Sequence, residues 1–362
     1  MSCLYPTFAF ECSAGKGDFD AMRYAIYQDE AFYNRCHRIT TPIERVGSAK
    51  RSFRFLRGYT LDDYKKDLQQ GNPLPMKFPC RKCLGCRLDH SREWADRLLM
   101  ELCYHKSAYF VTLTYSDEHL PTGYVVDYLT GEIVSRASTL RKSDFQNFMK
   151  RLRFNTKQKL RYFMASEYGD HTSRPHYHAI IFGLELDDLE LLRENFQGDK
   201  YYTSPTISKA WPFGYHILGK VTWESAAYVA RYTLKKAGDT KPDFYYEYAG
   251  IEKEDQLMSN RPGIGYLFYL DHPDLFEYDS YSLPSGDHPR KVRIPNYFKK
   301  LKKEESLDSA RMLYEKSQQS YYNSQQADKI KAFLTDRSFS ALSVDQERQL
   351  EKRLSGLCRD TI

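Results

Sequence analysis

The chain contains no run of eighteen consecutive apolar residues, about the length that a membrane-spanning helix requires, so we expect no membrane partner. Its first twenty residues, MSCLYPTFAFECSAGKGDFD, lack a basic segment followed by an apolar core. We therefore expect no secretory signal. A protein that stays in the cytosol keeps its cysteines reduced or bound to metal, and this is the state expected for the eight cysteines of this chain.

Neither sign of charge dominates the composition. The 54 lysines and arginines exceed the 48 acidic residues by a net charge of +6, an excess that suits a polyanionic partner without requiring one. Aromatic residues are abundant, and 30 of the 362 positions are tyrosine. The composition therefore admits a nucleic-acid partner but does not establish one.

Three of the cysteines crowd into one short segment, CRKCLGC, as Cys80, Cys83 and Cys86. A ferredoxin-type iron–sulfur site would need a further cysteine at position 90, where His90 stands instead. Structural zinc needs four ligands. We favour Cys3 as the fourth ligand, which would pin the N-terminus to the start of the following helix, with His90 as the second choice. Three free buried thiols are the alternative.

The hydrophobic pattern changes period several times along the chain. Strand patterns alternate with helical ones, and the strands lie at 107–116, 160–169, 174–183 and 214–222, with helices at 87–106, 142–156, 185–197 and 223–238. Neighbouring strands with helices between others predict an α+β domain around a mostly antiparallel sheet. From residue 296 onward the composition becomes polar and strongly charged.

Two histidines lie one residue apart in RPHYHAIIFG, residues 174–183. Strand alternation puts His176 and His178 on one face. The turn-rich segment 168–175 predicts a hairpin with the preceding strand, which makes Glu167 a close neighbour of His176. One carboxylate and two imidazoles suit Mn²⁺ or Mg²⁺, although Zn²⁺ would also accept them. An ordinary half-buried strand end with a solvated Glu167 is the alternative.

The segment YVARYTLKK at 228–236 carries Tyr228 and Tyr232, which lie four apart and share a helix face. In a chain so rich in tyrosine the pair by itself indicates little. Arg231, Lys235 and Lys236 accompany it, and a cation beside a phenol favours the phenolate or holds a phosphate. The alternative is an amphipathic helix with a solvated basic edge.

The stretch 141–161 is almost free of acids. It contains eight lysines and arginines and one aspartate. Such a run is usually a solvated helix face, but beside a nuclease site Lys150, Arg151 and Arg153 could follow a DNA backbone.

Three segments in this order, FVTLTY (110–115), RPHYHAIIFG (174–183) and YVARYTLKK (228–236), resemble the three motifs of the HUH rolling-circle replication initiators. The longer segments at 79–97, 110–121 and 258–266 resemble the initiators of the gokushovirus branch of the microviruses, which are small single-stranded-DNA bacteriophages. Cys3 also matches a cysteine near the N-terminus of that family. The resemblance covers roughly residues 79–266.

The resemblance implies an HUH endonuclease core with a five-stranded antiparallel sheet flanked by helices. It implies that a divalent metal polarises a scissile phosphate while a tyrosine attacks it, becomes joined to the 5′ phosphate and frees a 3′ hydroxyl. His176 and His178 match the metal-binding pair. Glu167 matches an acidic third ligand more loosely. Tyr228 and Tyr232 match the paired nucleophiles.

The remaining matched residues are basic or lie in the first motif. Lys235 and Lys236 match the basic residues after the second tyrosine, whereas Arg231 occupies a position often held by lysine. Thr112 and Thr114 of the first motif are expected to position DNA or to be structural. Arg174 is grouped with them as DNA-binding.

The resulting prediction is a metal-dependent endonuclease with strand-transfer activity that starts rolling-circle replication of a phage genome in the cytoplasm of the bacterial host. Its partners would be a single-stranded DNA origin and host helicase and polymerase. Its domains would be an irregular N-terminal extension (1–78), the endonuclease headed by the zinc segment (79–295) and a charged, partly helical tail (296–362). The rivals are a zinc-stabilised, non-catalytic DNA-binding protein, a plasmid or transposon HUH nuclease, and a small-molecule metal oxygenase or hydrolase.

Overall fold

A computed structural model describes residues 3–12, 52–169, 172–195, 198–222, 225–226, 229–230, 243–278, 280–283 and 289–355. The predicted nucleophiles and their basic neighbours lie outside these ranges, namely Tyr228, Arg231, Tyr232, Lys235 and Lys236. The described chain is an α+β protein, which confirms the predicted fold class.

The described elements comprise fourteen strands, nine α-helices and one 3₁₀ helix, Pro273–Phe276. The strands are β1 Thr7–Cys12, β2 Ser52–Phe55, β3 Met76–Phe78, β4 Ala108–Tyr115, β5 Thr122–Val126, β6 Ile133–Ser138, β7 Arg161–Tyr168, β8 Pro175–Phe182, β9 Glu190–Glu194, β10 Lys200–Thr203, β11 Gly214–Lys220, β12 Gln256–Met258, β13 Ser280–Leu283 and β14 Arg290–Arg293. The helices are α1 Leu61–Gln70, α2 Leu84–Leu102, α3 Lys142–Thr156, α4 Pro205–Ala210, α5 Asp243–Ala249, α6 Tyr266–Asp271, α7 Asn296–Glu305, α8 Leu307–Leu334 and α9 Phe339–Ser355.

The chain divides into two compact units, one formed by residues 1–87 together with 301–362 and the other by residues 88–300. In the first unit, β1 pairs between β2 and β3. Its apolar core combines Phe8 and Tyr64 with Ala332 and Phe339, so both ends of the chain contribute to one core. The predicted three-part division by function stays a prediction.

A capping box explains where α1 begins. The Thr60 hydroxyl accepts the Asp63 N–H, and the Asp63 carboxylate accepts the Thr60 N–H, which satisfies two otherwise unpaired donors. The ammonium group of Lys65 donates to the carbonyls of Thr335 and Arg337 just after α8. The N-terminal helix and the C-terminal helices are thereby joined by polar as well as apolar contacts.

The second unit is built on a seven-stranded sheet in the order β12-β7-β8-β4-β11-β10-β9, and every neighbouring pair is antiparallel. The mostly antiparallel sheet is therefore confirmed, but the expected five strands are seven. One reason is the short β12 beside β7. The other is that residues 190–194, for which a helix was predicted, pair with β10 as β9. That helix prediction was wrong because strand pairing overrode local helix propensity.

Helices cover both faces of this sheet. On one face, Tyr177 and Ile181 of β8 pack with Phe145 and Phe148 of α3. On the other face, Ile180 and Phe182 pack with residues of α2, including Ala95 and Leu98. The period-two alternation of β8 thus separates two cores, and His176 and His178 share their face with Ile180.

None of the helices in the described part of the chain combines the length and apolarity needed to cross a bilayer.

Candidate active site and cysteine cluster

The two histidines and Glu167 come together through strand register. Glu167 of β7 lies directly opposite His176 of β8, and on the other side of β8, Thr114 and Thr112 of β4 lie opposite His176 and His178. Directly opposed residues of an antiparallel pair point to the same face. The hairpin predicted from the turn-rich segment is therefore present, and five polar side chains share one end of one sheet face.

His178 is held at both ring nitrogens. Its Nε2 lies 2.9 Å from a carboxylate oxygen of Glu167, and its Nδ1 lies 3.1 Å from the Thr112 hydroxyl. His178 is buried, as are Glu167 and Thr112. The Phe110 ring stacks parallel to the imidazole with a centroid separation of 6.0 Å. The orientation of this imidazole is thus fixed by three neighbours.

His176 has a single assignable tautomer. Its Nδ1 lies 2.8 Å from the main-chain carbonyl of Arg174, and because a carbonyl only accepts, Nδ1 carries the proton and Nε2 keeps its lone pair. Burial lowers the pKa of His176, and the neighbouring His178 lowers it further. A neutral imidazole with a free Nε2 is the form that binds metal.

The sequence analysis did not single out Gly169 beside this ring. A Cβ at Gly169 would lie 3.2 Å from Cε1 and 3.5 Å from Nδ1 of His176. The Gly169 N–H also donates to the Arg174 carbonyl. Glycine lets the loop pass close to the imidazole, and the glycine in the turn sequence was the signal that could have indicated it.

The donor set fits a divalent ion. Two ligands that are each about 2.1 Å from an octahedral ion lie about 3.0 Å apart, close to the 2.9 Å between Glu167 and His178. As it stands the set is not compact enough to place all three ligand atoms around one point. In the described ranges, the cysteine cluster alone brings three or more such groups together. Ligation by Glu167, His176 and His178 therefore stays a prediction.

The described residues nearest the predicted tyrosines adjoin this site. Ala226, Val229 and Ala230 are fully buried and pack in the core cluster that contains Phe110 and Ala165. Phe110 and Ala165 each lie two residues before a residue of the site, Thr112 and Glu167. The chain on both sides of position 228 is thus packed on the sheet face that carries the histidines.

Most of the cations predicted to bind DNA are engaged by the protein itself. Arg151 donates to the Ala210 carbonyl at 2.7 Å, and Arg153 donates to the Leu160 carbonyl at 2.9 Å. Lys150 is exposed. The structure therefore gives the two arginines a role in attaching α3 to its surroundings, and their contact with DNA stays a prediction.

The predicted DNA contacts of the first and second motifs show a similar division. Arg174 donates to the Tyr115 carbonyl at 2.8 Å and pairs with Asp117, which joins the β7–β8 loop to the end of β4. Thr112 is buried against His178, so its position suits the structural role. Thr114 is less buried, and its hydroxyl donates weakly to the Tyr215 carbonyl at 3.4 Å.

Tyr177, the residue between the histidines, faces the opposite side of the sheet. Its hydroxyl accepts the Arg141 N–H at 2.8 Å and donates to the Arg141 carbonyl at 2.9 Å. Burial raises the pKa of Tyr177 to about 12. This phenol ties β8 to the start of α3 and is not placed to attack a substrate at the histidine face.

The four cysteines of the predicted zinc site come together in the first unit. The sulfurs of Cys3, Cys80, Cys83 and Cys86 all lie within 4.8 Å of one another. The Cys80–Cys86 and Cys3–Cys83 separations are 4.0 and 3.9 Å. A tetrahedron with metal–sulfur distances of about 2.3 Å has edges of about 3.8 Å, so the cluster fits one tetrahedral ion.

Main-chain donors support the cluster. The Leu4 N–H donates to the Cys83 sulfur at 3.3 Å, and the Cys80 N–H donates to the Cys3 sulfur at 3.2 Å. Burial alone would raise the pKa of Cys83, but the N–H donors lower it to about 7, which favours a thiolate. Cys3 completes the set, as preferred from the sequence, whereas the His90 ring lies edge-on to Trp94.

The sequence comparisons agree with one another. Residues 108–237 match a family model of phage replication-associated proteins, described under the heading "Replication-associated protein ORF2". The chain is 31% identical over 304 residues to "Replication-associated protein ORF2" of Spiroplasma virus 4, covering 82% of this chain and 90% of that relative. It is 39% identical over 167 residues to "Replication-associated protein VP4" of Bdellovibrio phage phiMH2K, covering 44% of this chain and 48% of the relative.

A third relative, "Replication-associated protein ORF4" of Chlamydia phage 1, is 30% identical over 249 residues, which is 66% of this chain and 54% of the relative. No solved structure matches the chain. An α+β protein with two histidines and an acid on one sheet face thus has phage replication-associated proteins as its relatives. The chain belongs to the family of microvirus-like replication-associated proteins, as the sequence motifs predicted.

Proposed function

We propose that this protein initiates rolling-circle replication of a small phage genome by nicking and rejoining single-stranded DNA at the origin. The observation that carries the proposal is the convergence of Glu167, His176 and His178 on one sheet face. The same face packs against the chain on both sides of position 228. The relatives, which are named as replication-associated proteins, support a role in DNA replication.

In the proposed site, Glu167, His176 and His178 hold Mn²⁺ or Mg²⁺. When bound, the ion polarises the scissile phosphate as a Lewis acid. Thr112 orients His178 through Nδ1, and the Arg174 carbonyl orients His176 in the same way. Such outer contacts fix the tautomer that presents Nε2 to an ion. The matched HUH motifs supply the family assignment of this set.

The proposed chemistry is phosphoryl transfer to a phenol. The hydroxyl oxygen of Tyr228 or Tyr232 attacks the scissile phosphorus, the bond from phosphorus to the 3′ oxygen breaks, and that oxygen takes up the proton lost by the phenol. The product is a 5′-phosphotyrosine and a free 3′ hydroxyl. Lys235 and Lys236 are proposed to hold the phosphate beside the tyrosines. The reverse attack by a 3′ hydroxyl releases the tyrosine and closes a circle.

We propose that Cys3, Cys80, Cys83 and Cys86 bind one structural Zn²⁺. The supporting geometry is the near-tetrahedral spacing of the four sulfurs. Four protein ligands leave no position for a substrate, which makes the site structural. The proposed setting is the cytoplasm of the bacterial host, where the single-stranded origin and the host helicase and polymerase would be the partners.

The test is formation of a covalent adduct. Full-length protein is incubated with Mn²⁺ and end-labelled single-stranded oligonucleotides that tile a microvirus origin region, then resolved on a denaturing gel. We expect a protein–DNA adduct that EDTA prevents and that the His176→Ala and His178→Ala variants do not form. Exposed His119 provides the matched control, and His119→Ala should behave as wild type. Metal-independent DNA binding with no adduct on any oligonucleotide would favour the non-catalytic DNA-binding protein.

A further inference from the structure

A two-stranded hairpin projects from the second unit and carries apolar side chains that the protein itself does not cover. β5 and β6 pair with each other and form a sheet of two strands. At the tip, Tyr128 is 96% exposed and Leu129 is 92% exposed. Val126, Ile133 and Val134 are also exposed. Such a concentration of exposed apolar side chains usually marks a binding surface.

The tip is a defined turn. The Asp127 carboxylate accepts the N–H groups of Leu129 and Thr130 at 2.7 and 3.0 Å. The Asp127 N–H and carbonyl pair with Glu132 and with Gly131, which adopts a left-handed backbone. Glycine is the residue suited to that position. Tyr128 and Leu129, which we call the tip pair, are therefore held outward by a hydrogen-bonded turn.

Both feet of the hairpin are attached at the end of the sheet that carries the candidate active site. Thr114, the next-to-last residue of β4, lies opposite His176, and only residues 116–121 separate β4 from β5. After β6, the Leu140 N–H donates to the Tyr168 hydroxyl at 3.1 Å. Tyr168 adjoins Glu167 in sequence. A strand bound at the histidines would thus pass the base of the hairpin.

The base of the hairpin is also attached to the segment that follows the predicted tyrosines. Gly123 of β5 approaches Gly250 so closely that a Cβ at Gly123 would lie 2.2 Å from the Gly250 carbonyl oxygen. Gly250 follows α5, the first described helix after Lys236. The hairpin is therefore braced by two parts of the chain that border the proposed nucleophile segment.

The side chains along the hairpin suit unpaired bases. Tyr124 and Arg136 lie directly opposite each other, and the guanidinium group lies 5.6 Å from the ring centroid. Aromatic rings beside cations bind single strands by stacking and phosphate contact. Apolar side chains that insert between base steps unstack and kink a duplex. The tip pair, an aromatic residue beside a leucine, has this wedge chemistry.

A protein partner fits the tip less well. A stable protein interface buries about 800 Å² on each side, and one aromatic side chain buries at most about 250 Å². A narrow turn with one tyrosine and one leucine at its end supplies less than such an interface needs. It is, however, the right width to enter a base step.

We propose that this hairpin is a strand-separating wedge, and that its tip pair inserts at the junction between duplex and single-stranded DNA beside the cleavage site. The proposal rests on the proposed function, because a metal–tyrosine site that acts on single strands requires the scissile segment to be unpaired. The wedge supplies that unpaired segment when the origin is double-stranded.

The test uses a forked DNA with 2-aminopurine at the first base pair of the duplex, because fluorescence of this base rises on unstacking. We expect full-length wild-type protein to raise the fluorescence and the Tyr128→Ser/Leu129→Ser variant to lose the rise. Binding of a single-stranded oligonucleotide should stay within about twofold, the range typical of surface substitutions. Leu191 and Leu192, an exposed pair on β9, provide the control, and Leu191→Ser/Leu192→Ser should behave as wild type.

A second variant separates the wedge from its support. Asp127→Ala keeps the tip pair but removes the acceptor that holds the turn, and it should reduce the fluorescence rise. Equal fluorescence for wild type and the tip variant overturns the proposal. If the tip variant changes only the sedimentation coefficient, the hairpin joins two copies of the chain and the proposal is likewise overturned. The readout needs no cleavage, so failure of adduct formation tests the proposed function separately.

Discussion

Glu167 and His178 are joined by a buried hydrogen bond of 2.9 Å between a carboxylate oxygen and Nε2. The two residues belong to neighbouring strands and are not directly opposed, because Glu167 lies opposite His176 and His178 lies opposite Ala165. The diagonal contact leaves Nε2 of His176 available beside them. An ion that replaces the shared proton would be bound by an acid and two imidazoles.

The first prediction concerns this ion. Glu167→Ala, His176→Ala and His178→Ala should each lose tight Mn²⁺ binding, measured by calorimetry, because each removes one ligand from an open site. DNA binding should remain, because the phosphate contacts come from other residues. His119→Ala is the control, since His119 is exposed at the same end of the sheet. Mn²⁺ affinity equal to wild type in all three variants would remove the metal from this site.

The second prediction concerns Thr112, a positioning residue. Thr112→Val keeps the shape of the side chain but removes the hydroxyl that contacts Nδ1 of His178. Loss of such an outer contact weakens metal binding by roughly 10–100-fold, whereas Thr112→Ser should restore it. Calorimetry with Mn²⁺ distinguishes this role from simple packing, because a packing defect would be larger in the serine variant. Unchanged Mn²⁺ affinity in Thr112→Val would assign Thr112 to packing alone.

The site could be predicted only as far as strand periodicity and hairpin logic reach. Alternation placed His176 and His178 on one face, and the turn-rich loop placed Glu167 beside them. The partner of His178 Nδ1 was not predictable, because it depends on the register between β4 and β8, which are separated by more than fifty residues. Local sequence gives no information about the register of such distant strands.

The third prediction concerns the cysteine cluster. Protein purified without chelator should contain one zinc per chain by elemental analysis. Cys3→Ser and Cys83→Ser should lose it and unfold at a lower temperature, because a structural zinc site contributes to folding. Cys103→Ser is the control, since Cys103 is an exposed free thiol. Full zinc content in Cys3→Ser would point back to His90.

The zinc should be acid-sensitive in a defined direction. Zinc binds thiolates, so protons compete with it, and the pKa of the Cys83 thiol is about 7 without metal. Zinc should therefore be retained at neutral and higher pH and released as the pH falls. Release that is independent of pH would argue against thiolate ligands.

The fourth prediction concerns Glu101, a buried carboxylate on α2. It accepts the Gly265 N–H at 2.7 Å, lies 3.0 Å from Nε2 of His105 and pairs with Arg161. Arg161 also donates to the carbonyls of Pro262 and Gly263. The 258–266 motif noted in the sequence is thus attached to the sheet through this acid and its arginine.

Burial alone would raise the pKa of Glu101, but the hydrogen bonds from His105 and Gly265 and the charge of Arg161 lower it below its ordinary value of 4.5. A carboxyl with a lowered pKa stabilises the folded state above its ordinary pKa, and this stabilisation is lost as the pH falls through the lower value. Glu101→Gln should therefore reduce the free energy of unfolding by about 1.5–3 kcal/mol at pH 7, and the difference should shrink below pH 4.5.

Urea unfolding of wild type and Glu101→Gln at several pH values measures this difference. Glu118 is exposed on the same unit, and Glu118→Gln should change stability by no more than about 0.5 kcal/mol. A stability difference that grows toward acid pH would contradict the assigned direction of the pKa shift.

The fold was predictable where periodicity is strong and not where distant pairing decides. The strands carrying the site were found from alternation alone. β9 was taken for a helix because ELLRE has no strict alternation, and its pairing partner follows later in the chain. The shared core of Phe8 with Phe339 was likewise beyond local sequence reasoning, since more than three hundred residues separate them.

The last prediction concerns the two tyrosines, which lie outside the described residues. Rolling-circle replication must cut once at the origin and again after one round. A tyrosine already joined to DNA cannot attack a second time. On a helix, side chains four residues apart have Cβ atoms about 5–6 Å apart, so Tyr232 could reach the phosphate that Tyr228 reaches after a small shift.

Tyr228→Phe and Tyr232→Phe should therefore each retain some first-strand cleavage but fail to complete circles, because each keeps one nucleophile. The double variant should form no covalent adduct with single-stranded DNA. Tyr177→Phe is the matched control, since that phenol faces the opposite side of the sheet and should leave adduct formation intact. Adduct in the double variant would assign the nucleophile to another tyrosine. Normal circle formation by either single variant would mean that one tyrosine suffices, since the remaining phenol would then have to be freed from DNA before the second cut.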